Sequence, residues 1–243
     1  MKTPNPLHQN GRSGSTVRHS KQDALSEVEL EYLLEGARKL NLDYYYEPDP
    51  EFVIYSLGKL GLRRGEIAHM KESWIDYSRK MITIPEHEKC EKGKNGEVCG
   101  YCKQLARQRV EYADNLCLNE ALEWMWVPKT QAAAREIYYG FDARLEMYIK
   151  RYFDSPNYNK VEVGANGIHR RVKRAARKAP NITSENLSPH KLRATAATFH
   201  AGRGLETLAL MQFFGWADPS TAEVYISRNG QNTANQLNSI HNR

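Results

Sequence analysis

Apolar residues recur three and four apart over most of this chain, and those stretches begin at helix-capping residues. Ser26 followed by Glu29 forms a capping-box pattern, and Leu25 with Leu30 fits a hydrophobic staple, which predicts a helix running to about Leu40. Asp49-Pro50 opens a second helix carrying Phe52, Val53, Tyr55, Leu57 and Leu60. Gly61 lets the chain turn, and a short helix holds Glu66, Ile67 and Met70. Trp74–Tyr77 and Met81–Ile84 read as two short strands around a turn at Ser78–Lys80. Residues 86–120 carry no clear period and are expected to be irregular. Trp124–Val127 and Arg135–Tyr139 read as strand-like. Helices are predicted at about 141–153, 166–178, 189–202, 205–214 and 219–227, with Ser188-Pro189 and Asp218-Pro219 as N-cap and first-turn proline pairs. The fold class is α+β: a mostly helical domain with a small antiparallel sheet. No internal repeat is seen.

Composition adds a charge and a compartment. The 243 residues hold 40% hydrophobic positions, enough for a core, and a formal charge of +6 with a pI of about 9.0, which suits a polyanionic partner. No apolar run approaches the roughly 18 residues of a membrane span. Met1–Gln22 lacks the apolar centre of a signal peptide, so a cytoplasmic protein is expected. The same segment carries Lys2, Arg12, Arg18 and Lys21 without an acidic residue and reads as a disordered basic arm over 1–22, either tracking a DNA backbone or simply solvated. Residues 228–243 form a polar tail whose apolar anchors are Leu237 and Ile240. Four cysteines do not make a disulfide scaffold and read as core residues or metal ligands.

The chemistry sits in three boxes. Gly61-Leu-Arg63-Arg64-Gly65-Glu66 comes first, His190-Lys-Leu-Arg193 follows, and Gly215-Trp216 leads to Tyr225. Two arginines, a histidine, an indole and a tyrosine in that order suit attack on a phosphodiester. Arginine holds a phosphate through paired N–H donors, and tyrosine can be a covalent nucleophile. His190 and Arg193 are three apart at a helix start, so they share one face beside the positive end of the helix dipole.

These boxes resemble the tyrosine recombinases, the phage integrase family, over about Leu25 to Ser227, the family's catalytic domain. The domain is therefore expected at 23–227. By resemblance, Arg63 and Arg193 are the catalytic arginines that neutralise the scissile phosphate, Arg63 being chosen over Arg64 because it directly follows Gly-Leu. Glu66 is expected to orient Arg63 or to support the local fold. His190 shares proton transfer or hydrogen-bonds the phosphate. Trp216 stands where the family carries histidine or tryptophan and donates its indole N–H. Tyr225 is the nucleophile. The leaving oxygen takes a proton from a hairpin lysine in this family. Lys129 matches that position, with Lys89, Lys92 and Lys94 as rivals. The chemistry implied is transesterification through a 3′-phosphotyrosyl link, with no cofactor for catalysis. The implied partner is double-stranded DNA, bound by a homo-oligomer, dimer to tetramer. The family usually carries an N-terminal helical clamp, and with about 25 residues ahead of the catalytic domain either this is a minimal form or a partner supplies the clamp.

Two features lie outside that pattern. His87-x2-Cys90 and Cys99-x2-Cys102, separated by eight residues, have knuckle spacing and together could close a tetrahedral Cys3His site within an insertion at 86–104. A structural zinc is expected there, and Cys117 is expected to be a core thiol. Residues 168–178 hold six lysines and arginines and no acid, with Ile168, Val172, Ala175 and Ala176 as an apolar stripe. The opposite face offers Arg170, Arg171, Lys173, Arg174 and Arg177 to phosphates. The leading expectation is a site-specific recombinase or integrase of a virus or mobile element. The alternatives are a type IB topoisomerase-like strand relaxer, a non-catalytic accessory protein, or a zinc-dependent DNA-binding module.

Overall fold

The computed structural model describes residues 24–40, 49–154, 159–183, 186–226, 237–238 and 240–241. The proposed basic arm at 1–22 and most of the tail lie outside the described residues. Ten α-helices and three strands are described, and they fall into two compact units, a larger one of the described residues up to 86 and from 128 onward, and a smaller one of 87–127.

In the larger unit the capping signals act as read. Ser26 Oγ accepts from the Glu29 backbone and Glu29 bonds back, opening α1, Glu27–Arg38. Asp49 and Pro50 open α2, Pro50–Gly58, whose residues are almost all buried. Arg64–His69 forms α3. After the smaller unit come α6 (Ala143–Phe153), α7 (Ala165–Lys178), α8 (Pro189–Gly202), α9 (Thr207–Phe214) and α10 (Pro219–Glu223). Helix α2 is central: α1, α6, α7 and α8 all pack on it, and α7 also packs on α1 and α3. Phe52, Val53, Ile54, Leu57, Leu60 and Leu62 are completely buried there.

The sheet is antiparallel, in the order β1 (Ile75–Asp76), β2 (Met81–Ile84), β3 (Arg135–Tyr138). Ile82 faces Ile137 and Ile84 faces Arg135. The buried side of β3 is therefore Arg135 and Ile137, an arginine where alternation calls for an apolar residue. Fifty chain positions, 85–134, lie between β2 and β3 in sequence.

Most of these positions form the smaller unit, and here the sequence expectation needs correction. Residues 86–120 are not simply irregular, because Gly100–Glu111 forms α4 and Leu118–Glu123 forms α5, which pack on each other. The buried side of α4 is only Cys102 and Ala106, too small to register as an apolar stripe. Trp124–Val127 is not a strand. It leaves α5 and exchanges backbone bonds with Glu88, while Cys90 N–H donates to the Met125 carbonyl. Cys117 is exposed and caps α5 rather than filling a core. No described helix is long and apolar enough to cross a membrane.

Candidate active site

The three sequence boxes meet within the larger unit, and glycine geometry explains how. Gly215 ends α9 in the left-handed conformation with φ 61°. Trp216 N–H reaches back to the Met211 carbonyl and Gly215 N–H to that of Gln212, a Schellman-type closure that fixes where Trp216 leaves the helix. A Cβ on Gly215 would lie 2.7 Å from Ala133 Cα and 2.8 Å from the Ala132 carbonyl oxygen, so the close approach also requires glycine. Gly61, with φ 60°, packs its bare Cα side against the Phe214 ring.

Arg193 projects from α8 into this junction and is buried. It donates to the carbonyls of Gly61 and Phe214, so one guanidinium ties α8 to the first and third boxes. It also lies over the rings of Phe214 and Trp216. Burial and the nearby Arg63 cation press its charge toward neutrality; Glu66 and Tyr225 act the other way. A guanidinium stays protonated under such pressure, so the site holds excess positive charge.

Arg63 is half-buried at the start of α3. Its Nη1 donates to Glu66 Oε1 at 2.8 Å and its Nη2 to the Gly215 carbonyl at 3.0 Å. Its other side-chain N–H groups have no partner among the described residues. Glu66 is fully buried. Burial opposes its charge, but Arg135 and Arg63, helped by Arg193, hold its carboxyl at about 2, well below the ordinary range. Arg135 was missed as a site residue by sequence reasoning. The signal available was its place on the buried side of β3.

Tyr225 follows α10, which ends at Glu223, short of the predicted 227. Tyr225 is 6% exposed, and its ring stacks on Trp216 with centroids 5.4 Å apart and planes at 8°. Trp216 stacks in turn on Phe214 at 4.7 Å and 16°. This column sets Tyr225 beside the Arg193 guanidinium, close enough to feel its charge. His190 is exposed on the first turn of α8, which Ser188 caps and Pro189 begins. The structure thus brings Arg63, Arg193, Trp216 and Tyr225 together. Lys129 is exposed before a short turn at Gln131–Ala133 and makes none of the bonds that join the arginines.

On α7, Arg170, Arg174 and Arg177 are exposed and Lys173 is half-buried. Arg171 departs from the expectation: it is buried, and its Nη1 reaches the Gly167 carbonyl at 3.4 Å. It shares the inward side with Ile168, Val172 and Ala175, which puts it off the phosphate-facing surface. His169 titrates below the usual histidine range because of burial, Lys173 and Arg64.

In the smaller unit, the sulfurs of Cys90, Cys99 and Cys102 lie within 4.8 Å of one another, a group able to hold a metal ion. Cys99 N–H donates to Cys90 Sγ at 3.5 Å, and Cys102 lies in the first turn of α4, where the helix dipole favours a thiolate. Contacts with Cys90 and Cys99, then burial, push the Cys102 thiol up. The donor set fits a thiophilic ion such as zinc. His87, expected as the fourth ligand, stands outside this group. Its Nε2 lies 3.2 Å from the Glu123 carbonyl and its ring packs on Trp124.

Comparison with known proteins bears on the fold and the family. The XerA recombinase structure superposes with a TM-score of 0.54 at 18% identity, over 90% of this chain and 66% of that one. The Tn1549 transposon integrase, solved in complex with a circular intermediate DNA, superposes at 0.58 with 17% identity, over 89% of this chain and 65% of that one. The chain thus spans just under two thirds of the length of those structures, and the likeness is one of fold. No curated protein matches in sequence. The model of the Phage integrase family matches residues 49–232, which include all three boxes and the turn carrying Tyr225. Because that match covers well over half of its residues, the chain belongs to the phage integrase family, the tyrosine recombinases.

Proposed function

We propose that the protein is a site-specific DNA recombinase that cuts and rejoins strands through Tyr225. The observation that carries this reading is the cation surplus beside the phenol: Arg63, Arg135 and Arg193 surround the single carboxylate of Glu66, and Tyr225 stands next to Arg193. Such a pocket favours an anion, and a phosphodiester supplies one with oxygens suited to guanidinium forks.

Tyr225 Oη attacks the scissile phosphorus, forming the P–O(Tyr) bond as the P–O5′ bond breaks. The phenolic proton passes to His190, and Lys129 gives a proton to the departing 5′ oxygen. Arg63 and Arg193 neutralise the charge that builds on the non-bridging oxygens. A 5′-hydroxyl of another strand then attacks the 3′-phosphotyrosyl ester and frees Tyr225. The ester conserves the bond energy, so no nucleotide cofactor enters. Trp216 supports the phenol ring and supplies an indole N–H. The partner is double-stranded DNA, held also by the exposed arginines of α7, and the working form is a homo-oligomer on DNA in the host cytoplasm or nucleoid. The Cys90, Cys99 and Cys102 thiols hold a structural zinc that takes no part in cleavage.

The test is a duplex carrying the element's own junction with a nick just 3′ of the scissile phosphate, so that the short leaving strand diffuses away. Wild-type protein is expected to form a covalent adduct on a denaturing gel, and Tyr225→Phe none. Tight binding without an adduct would turn the reading to an accessory protein.

A further inference from the structure

Arg135 is a charged side chain, 3% exposed, in a place where strand alternation calls for an apolar one. Its Nη1 donates to Glu66 Oε1 at 3.0 Å and to the Ala133 carbonyl at 2.6 Å. Its Nη2 donates to Glu66 Oε2 at 3.2 Å and its Nε to the Phe213 carbonyl at 2.8 Å. Four of its five N–H groups are thus used inside the protein, and it cannot also grip a substrate phosphate.

Glu66 is equally committed. Oε1 accepts from Arg63 Nη1 and Arg135 Nη1, and Oε2 from the Arg63 backbone N–H and Arg135 Nη2. The carboxylate joins a guanidinium that is sealed in to one that is half-open. We propose that Arg135 is a positioning residue for strand cleavage: it clamps Glu66, and Glu66 in turn aims Arg63 at the scissile phosphate. This rests on the recombinase reading above and gives β3 a role in it.

The geometry states why the clamp is needed. A carboxylate with Arg63 as its main partner would draw that guanidinium inward and take its charge from the phosphate. With Arg135 holding both oxygens, Glu66 needs only one Arg63 nitrogen, and the Gly215 carbonyl fixes another. The rest of the Arg63 fork stays available. Arg135 also fastens the end of α9 through Phe213, the same chain end that delivers Gly215 and Trp216. Lysine lacks the planar fork and cannot reproduce this set of bonds.

The test uses the full chain and the nicked duplex, with Arg135→Met, Arg135→Lys and Tyr225→Phe beside wild type. Each is checked for folding by circular dichroism and for DNA affinity. Arg135→Met is expected to bind DNA as wild type does and to form adduct about 100-fold more slowly, the loss that a small misplacement of a reacting group produces. Arg135→Lys should lie between. The decisive arm repeats the rates with a methylphosphonate at the scissile position, where a methyl group replaces one charged oxygen. The demand for Arg63 charge is then relieved, so the gap between wild type and variant should shrink. A general loss of packing would leave the gap equal on both substrates, and that result overturns the proposal. So does a folded variant that cleaves at the wild-type rate. Should the methionine variant not fold, the lysine variant is compared on the same two substrates by the same criteria. If wild type forms no adduct, or Tyr225→Phe forms as much, the recombinase reading fails and this inference falls with it.

Discussion

A buried carboxylate remains an anion only where cations hold it, and Glu66 has Arg135 and Arg63. Its ordinary value of 4.5 falls to about 2 in the folded chain. The folded state therefore binds fewer protons than the unfolded one between those values. The stabilisation is fully present above the unfolded value and is lost as pH falls through the folded one. Glu66→Gln keeps the shape but leaves two guanidinium groups without their anion. It is expected to lose about 3–5 kcal/mol at pH 7, the usual cost of removing one member of a buried ion pair. Urea unfolding of wild type and variant at several pH values checks this. The gap should be widest above pH 4.5 and should narrow toward pH 2. A gap independent of pH would show that Glu66 does not act through its charge. Arg63, His190, Arg193, Trp216 and Tyr225, the residues proposed for cleavage, could be picked out of the sequence because each stands in a short local pattern. The Arg135 pairing could not, because its partner lies 69 positions away and no spacing rule links a strand to an earlier helix start.

At the scale of elements, legibility followed the size of the buried anchors. Helix α7 was plain in the sequence: Ile168, Val172, Ala175 and Ala176 line one side and basic residues the other. Helix α4 was not, since Cys102 and Ala106 are its buried positions and neither stands out among polar neighbours. Proline and capping signals placed the starts of α1, α2, α8 and α10 closely, because an N-cap bond is local chemistry. The end of α10 was overrun, since nothing in Val224-Tyr225-Ile226 breaks a helix. The corrected face of α7 gives a sharper prediction than the sequence did. Changing Arg170, Arg174 and Arg177 to Gln should lower the slope of log affinity against log salt by about 3 if each meets one phosphate. Arg171→Gln should leave the slope alone and lower the melting temperature instead, because that side chain faces inward. Binding titrations between low and moderate salt decide it. An unchanged slope in the triple variant would remove α7 from the DNA surface.

The whole molecule divides unequally, and the two units should differ in what keeps them folded. The larger one buries a broad apolar core around α2. In 87–127 the buried apolar side chains are Cys90, Cys102, Ala106, Ala121, Met125 and Trp126, and two of these are thiols of the metal group. An apolar core of that size rarely supplies enough stability for a segment so short, and small domains of this kind use a metal or a disulfide as a staple. Thiolate ligation would offset the deficit, since the energy of binding a structural zinc is released as folding energy. Protein purified without chelator is expected to carry one zinc by elemental analysis. Stripping it with a strong chelator should open 87–127 to protease while the rest of the chain stays resistant. Replacement by cobalt should give the charge-transfer bands of thiolate ligation, weakened by Cys90→Ala, Cys99→Ala or Cys102→Ala but not by Cys117→Ala. Exchanging the histidines one at a time in the cobalt form then identifies the fourth donor, and His87→Ala is expected to leave the spectrum unchanged. A chain that arrives without metal and resists protease equally well with and without chelator would mean that the three thiols pack as apolar side chains and that 87–127 stands on its small core alone.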